Sequence, residues 1–348
     1  MVTDIDLRRN ICELLHGQLN KTARDIQQIR AGRNSRVFRV TCAEGDVFAV
    51  KAYFTSETDR RDRLGCEFGA LSFLKNEGVA EVATPLVADK KRKIAVYEFV
   101  QGHALKANDI GEAEIAQAVE FLGVLKTIAD SGRADSFPPA SEACFSIAAI
   151  LENLNSRLGP LTTAAVKQPA LADFLYKELE PIRRLATNKC HEFCWQHQIP
   201  IEAEIPVSER TLSPSDFGFH NALRRSDGRI VFLDFEYFGW DDPAKTVADF
   251  LLHPAMELSH QMKRQFLAGI QTVFNAVPGL VRRLCAVYPL FVIKWCLILL
   301  NEFTLEGQAR RCFALGAQGA WDEAVQLEKA RRMLAQIEHD YCDLFGIT

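Results

Sequence analysis

Apolar spacing along the chain alternates between helical and strand periods. Leu7, Ile11, Leu14 and Leu15 recur between charged residues at helical spacing, which predicts an amphipathic helix over 6–19. A small-residue turn at 32–35 precedes alternation at Val37, Phe38 and Val40. Gly45-Asp46 marks another turn, and 47–53 reads as a second strand of the same hairpin. Helical spacing returns at Leu64, Phe68, Leu71 and Leu74, predicting a helix over 63–76. Two more strands, 83–87 and 93–100, flank a basic turn at 89–93 and end at Gln101-Gly102. The segment 112–130 carries Ile115, Val119, Leu122 and Leu125 on one helical face, and 131–141 is a loop rich in Ser, Pro and Gly. Two or three helices follow between 144 and 198, with breaks expected at Gly159-Pro160 and Pro169. Residues 254–347 read as helices throughout. The fold class is α+β, with a mostly strand region over 1–100 and a larger, mostly helical one over 101–348.

Within the helical region one stretch, 212–249, breaks the pattern. Asn221-Ala222-Leu223-Arg224 and Ile230-Val231-Phe232-Leu233 are short apolar runs separated by the turn signal Ser226-Asp227-Gly228-Arg229, which predicts a β-hairpin. A hairpin of this size collects Asp216, Asn221 and Asp234 at one end. An apolar run that ends in a carboxylate is costly unless the charge is paired or holds a cation. Carboxylate and amide oxygens beside a phosphate are the usual set for Mg²⁺, a hard ion that keeps several waters.

Composition narrows the classes. The 348 residues are 48% hydrophobic and 25% charged, ordinary for a globular protein of about two domains. A net charge of −4 gives no basic footprint, which argues against nucleic acid as the main partner. The first residues are acidic and carry no secretory h-region. The greasiest run, 290–300, contains Lys294 and is too short to span a bilayer, so it is expected to be a buried helix. Ten cysteines without regular spacing fit reduced thiols and a cytoplasmic location. Cys190, Cys194 and His197 would share a helix face, as zinc ligands can, but no fourth ligand is evident.

Asp216-x4-Asn221, then Asp234-Phe235-Glu236 and Asp241-Asp242-Pro243, stand in the order used in kinase-type phosphoryl transfer. In this order and spacing the chain resembles the aminoglycoside phosphotransferase and choline kinase superfamily, and Asp-Phe-Glu-Tyr at 234–237 is similar to its choline/ethanolamine kinase branch. The resemblance implies a bilobal protein-kinase-like fold, a small strand-rich lobe and a larger helical lobe around the hairpin. It implies Asp216 as the catalytic base, and Asn221 and Asp234 as holders of Mg²⁺. Asn34 and Ser35 would occupy the phosphate-binding turn. Lys51, in the setting Val47-Phe48-Ala49-Val50-Lys51, would contact the phosphates of ATP or GTP, with Glu67 as its partner in preference to Glu57 or Glu77. The Glu98 carbonyl and Val100 amide would bond the base, with Tyr97 behind it. Such backbone contacts leave adenine and guanine undistinguished. The acceptor would be a small-molecule hydroxyl, as of a sugar, aminosugar or amino-alcohol.

One departure stands out. The family writes His-Gly-Asp or His-x-Asp before the catalytic loop, and this chain has Pro214-Ser215-Asp216. That change feeds the alternative reading, a catalytically inactive nucleotide-binding scaffold. A protein kinase is disfavoured, because no Ala-Pro-Glu follows Asp234. The acidic and aromatic residues Glu236, Tyr237, Phe238, Trp240, Asp241 and Asp242 have two readings: a seat for a cationic acceptor, or a helix cap and core filling.

Overall fold

The computed structural model describes residues 4–31, 35–55, 61–315 and 322–346. In chain order it begins with α1 (Asp4–Leu19), β1 (Ala23–Ala31), β2 (Ser35–Cys42), β3 (Val47–Tyr53), α2 (Arg63–Asn76), β4 (Pro85–Asp89), β5 (Ile94–Glu98) and β6 (His103–Ala104). Then come α3 (Glu112–Asp130), α4 (Ile147–Ala165) and α5 (Pro169–Asp173), which continues through a π-helical turn into α6 (Glu180–His197). Four short strands follow: β7 (Thr211–Ser213), β8 (Ala222–Arg224), β9 (Ile230–Phe232) and β10 (Gly239–Asp241). The rest is helical: α7 (Pro243–Leu252), α8 (His260–Val273), α9 (Leu280–Leu299), α10 (Leu305–Leu315), α11 (Glu323–Ala335) and α12 (Ile337–Phe345). Two compact units result. The first comprises Met1–Ala104, Asn221–Phe238 and Ala309–Gly319; the second, Leu105–His220, Gly239–Gln308 and Ala320–Thr348.

The first unit is built on an antiparallel sheet in the order β1-β2-β3-β5-β4. The residues whose spacing predicts α1 pack against Phe38, Val40, Val50, Ile94 and Val96 of that sheet. Successive strand residues face opposite ways. Val50 therefore enters this core while its neighbour Lys51 points to the other face. β1 is a strand that the sequence reading does not anticipate. It is an edge strand, paired on one side with β2, and its run of Arg24, Asp25, Gln27 and Gln28 lacks the apolar alternation of a covered strand. The predicted hairpin is present as β8 and β9, with Ala222 opposite Phe232 and Arg224 opposite Ile230. β6 joins its edge. Gly102 is obligatory at this junction, since a Cβ there would lie 2.8 Å from the Arg224 carbonyl oxygen.

In the second unit, α9 packs against α4, α6, α7 and α11. Two expectations need correction. Gly159-Pro160 does not interrupt α4, which runs through Pro160. Proline removes one helical hydrogen bond, and the burial of Leu154, Leu161 and Ala165 along one face outweighs that loss. The apolar run expected over 290–300 is also longer. The stretch Leu280–Phe303 is long and apolar enough to cross a membrane by length and composition, because neither Pro289 nor Lys294 ends it. Of an 18-residue apolar window within it, 83% is buried in the protein, as in a core helix. β7 and β10, also not anticipated, form a two-stranded ribbon with Leu212 opposite Trp240. They are three residues each, too short for a readable alternation.

Candidate active site

The first unit gathers its chemistry around Lys51. The sheet register places Lys51 between Val37 and Ala95, in mid-strand. Its Nζ donates to Glu67 Oε2 on α2 and to Asp234 Oδ1, each at 2.6 Å, and lies 3.6 Å from Glu236. Burial alone would push the ammonium down; Asp234, Glu67 and Glu236 outweigh it and hold Lys51 well above its usual range. Glu67 is fixed from a second side by the Tyr53 hydroxyl at 2.7 Å, which also shares a 2.6 Å hydrogen bond with Tyr97. The backbone N–H of Phe235 donates to the other Glu67 oxygen at 3.4 Å. Glu236 is buried beside Arg63, 3.5 Å away.

The hairpin register places Asn221 and Asp234 at the same end. The Leu233 N–H donates to the Asn221 carbonyl at 2.8 Å, so the residue after Leu233 stands at the same hairpin end as Asn221. Asp234 has a left-handed backbone, φ 69°, a conformation that Asp tolerates better than most side chains and that recurs at functional sites. Asn221 is buried. Among the clustered carboxylates Glu67, Asp234 and Glu236, Asp234 is the open one, with 27% of its side chain exposed against 5% and 3%.

The remaining sites assigned from sequence fall as follows. Asn34 and Glu57 lie outside the described residues. Ser35 is buried at the start of β2, opposite Tyr53. Glu98 ends β5, and its carboxylate accepts from the Thr84 hydroxyl and from Arg225. Val100 packs with Ala83 and Val231.

In the second unit Asp216 follows Ser215, whose backbone is also left-handed, at φ 68°. Lys245 of α7 donates to Ser215 Oγ at 3.2 Å and to Asp241 at 2.6 Å, and lies 3.2 Å from Asp249. Lys294 of α9 donates to both Asp249 oxygens at 2.7 and 2.8 Å, and the Trp295 indole donates to Oδ1 at 3.0 Å. Asp242 caps α7 through the Ala244 N–H and pairs with Arg283 at 2.6 Å. Asp241 and Asp242 are thus committed to the interior, Phe238 is core, and the Trp240 indole donates to the Ala134 carbonyl. This is the cap-and-core reading of the stretch.

Two side chains beside Asp216 escape sequence reasoning. His220 Nε2 lies 3.1 Å, and His253 Nε2 3.5 Å, from Asp216 Oδ1. His220 sits four residues after Asp216, a spacing visible in the sequence; His253 carries no such signal. Cys190, Cys194 and His197 are not among the groups of described residues whose ligand atoms converge closely enough to hold a metal. The Cys190 thiol is buried, donates to the Ala286 carbonyl at 3.1 Å, and is pushed up to about 12 by burial.

Residues 25–276 match the family model described as the phosphotransferase enzyme family. The chain belongs to this family. No curated protein matches the sequence. Among solved structures, the choline kinase of Streptococcus pneumoniae is 16% identical with a TM-score of 0.61, over 95% of this chain and 99% of that one. The Plasmodium vivax ethanolamine kinase is 14% identical with a TM-score of 0.63, covering 97% of this chain and 91% of that one. A spectinomycin phosphotransferase in complex with ADP and spectinomycin is 11% identical with a TM-score of 0.64, covering 97% and 98%. The likeness extends the superfamily resemblance read from the motifs to the whole fold, an α+β fold of the protein-kinase-like kind.

A phosphotransferase of this kind implies Mg²⁺, and the residues present suit it. Asp234 offers a partly open carboxylate and Asn221 an amide oxygen, hard donors with no thiol or imidazole among them.

Proposed function

We propose that the protein is a small-molecule kinase that moves the γ-phosphate of ATP or GTP to the hydroxyl of a small organic acceptor. The observation that carries this reading is the Lys51 ammonium, buried in mid-strand and shared at 2.6 Å between Glu67 and Asp234. A lysine so fixed is a positioned cation for nucleotide phosphates, and Glu67 keeps it from swinging away. Asn221 and Asp234 would hold Mg²⁺, which when bound supplies charge neutralisation on the phosphates. Asp216, 34% exposed, would orient the acceptor hydroxyl and take its proton as the oxygen attacks phosphorus. The reaction needs little covalent help from the protein, so positioning and electrostatics supply most of the rate.

The acceptor class stays broad for a physical reason. Asp241 and Asp242 are spent on Lys245, Arg283 and the α7 cap, so that stretch lends no free carboxylate to a cationic acceptor. Neutral sugars therefore stand beside aminosugars, choline and ethanolamine as candidates. The test incubates the protein with a pool of these acceptors, with Mg·ATP and Mg·GTP separately, and looks for phosphorylated products by mass spectrometry. Asp216→Ala is expected to lose at least 100-fold in turnover, on the order of 3 kcal/mol or more, while still binding nucleotide. Turnover near wild type in that variant would remove Asp216 as the base. Mg-dependent nucleotide binding without any product would favour a non-catalytic scaffold.

A further inference from the structure

Lys51 and Tyr53 lie two residues apart on β3 and so share one face of the sheet. In the pairing with β5, Ala49 stands opposite Tyr97 and Lys51 opposite Ala95, which puts Tyr97 on that face as well. The short side chain of Ala95 leaves room for the two tyrosine hydroxyls to meet, 2.6 Å apart. Both tyrosines are buried. The Lys51 ammonium lies 5.0 Å from the centre of the Tyr53 ring. α2 closes the group from above, with Glu67 bonded to Lys51 and Tyr53, and Phe68 against the Tyr97 ring at 6.2 Å.

The hydrogen bonds have a direction. Glu67 Oε2 accepts from Lys51 Nζ at 2.6 Å and from the Tyr53 hydroxyl at 2.7 Å. A carboxylate paired with an ammonium only accepts, so the one hydroxyl proton of Tyr53 is on the Glu67 side. Tyr97 must then donate to Tyr53. The row runs from Tyr97 through Tyr53 to Glu67, and hydrogen bonds in such a row strengthen one another. The Tyr97 hydroxyl meets Tyr53 and not Lys51 or Glu67, so its effect on the carboxylate passes through Tyr53. Of the two carboxylates that Lys51 touches at 2.6 Å, Asp234 is partly open and Glu67 is buried, which makes Glu67 the fixed one.

We propose that Tyr53 and Tyr97 are positioning residues for the nucleotide: their hydroxyl row fixes Glu67, and Glu67 holds the Lys51 ammonium where the phosphates meet it. This rests on Lys51 being the phosphate contact of the proposed function. Phenylalanine at either position keeps the ring and its packing and removes the hydroxyl alone.

The test is calorimetric titration with Mg·ATP or Mg·GTP, whichever the wild type binds more tightly, and with the corresponding nucleoside. It covers wild type, Lys51→Met, Tyr53→Phe, Tyr97→Phe and the double Phe variant. The nucleotide Kd is expected to rise on the order of 10-fold in Tyr53→Phe and by less in Tyr97→Phe. The double variant should bind no more weakly than Tyr53→Phe, because without the Tyr53 hydroxyl Tyr97 has no route to Glu67. Nucleoside affinity should stay at the wild-type value throughout, since a nucleoside has no phosphate for Lys51 to meet. Nucleoside and nucleotide weakened alike would mean that the hydroxyls serve only the fold, and additive losses in the double variant would mean that Tyr97 acts apart from Tyr53; either overturns the inference. A wild-type nucleotide Kd in Tyr53→Phe, beside weakened binding in Lys51→Met, overturns it and leaves the proposed function standing. Wild-type protein that binds neither nucleotide removes both. If Tyr53→Phe does not fold, Tyr97→Phe decides, since it leaves the Tyr53–Glu67 bond in place: its nucleotide Kd must rise with nucleoside affinity unchanged, and a wild-type Kd there overturns the inference.

Discussion

At the scale of single residues, Ser215 accounts for the departure from the family's wording. Where the family writes Gly before the catalytic Asp, this chain has Ser in the left-handed region, at φ 68°. That conformation costs a non-glycine residue about 1 kcal/mol. Lys245 donates to its hydroxyl at 3.2 Å, an offset of comparable size. Ser215→Gly should thus be close to neutral, since strain and hydrogen bond go together. Ser215→Ala keeps the strain and loses the bond, and should cost about 1–2 kcal/mol. Urea titration of both variants checks this, and an Ala variant at least as stable as the Gly variant would contradict it. The same scale shows what a sequence can and cannot tell. The pairing of Lys51 with Glu67 was legible through the resemblance, which gives the strand lysine a carboxylate partner, and Glu67 stands mid-way along the helix that follows. His253 was not, because a histidine after a helix becomes informative only when the fold brings Asp216 beside it.

At the scale of elements, α7 is a buried helix carrying Lys245 and Asp249 one turn apart, and Lys245 also pairs with Asp241, four residues earlier at the end of β10. The spacing was open to reading, but its burial was not: helical i, i+4 charges usually lie on a solvated face. Here the matching cation, Lys294, comes from α9, at no fixed distance along the chain. Burial would push the Asp249 carboxyl up, but Lys294 and Lys245 outweigh it and hold Asp249 below its usual range. The unfolded chain then binds the proton more readily than the folded one. Stability from Asp249 is therefore fully present above its unfolded value, about 3.9, and is lost as pH falls through the folded value. Asp249→Asn strips Lys294 of its close carboxylate and should cost about 3–5 kcal/mol at pH 7. The gap from wild type should narrow as pH drops below about 4. Urea unfolding from pH 7 down to 2.5 measures it, and a gap constant across that range would refute the linkage. β7, β10 and the unbroken α4 belong to the same lesson, since short strands and a proline tolerated by burial depend on contacts that local spacing does not encode.

At the scale of the whole molecule, the net charge of −4 gives a phosphate-bearing ligand no general attraction. Any stabilisation by Mg·ATP must come from a local site, and this makes ligand-linked unfolding a clean probe of the nucleotide half of the proposal. A ligand that binds only the folded chain adds about 2.7 kcal/mol at 100 times its Kd. Wild-type protein should show an upward shift of its unfolding transition with Mg·ATP or Mg·GTP, reduced by a chelator. Asp216→Ala should keep the shift, because its proposed role is in transfer. Lys51→Met should lose most of it. That variant also removes the cation that Glu67, Asp234 and Glu236 share, so its baseline stability falls as well. Comparing each protein with itself, with and without nucleotide, separates the two effects. Lys51→Met protein stabilised by Mg·ATP as strongly as wild type would mean that the buried lysine serves the fold and not the phosphates, and the observation carrying the proposed function would be gone.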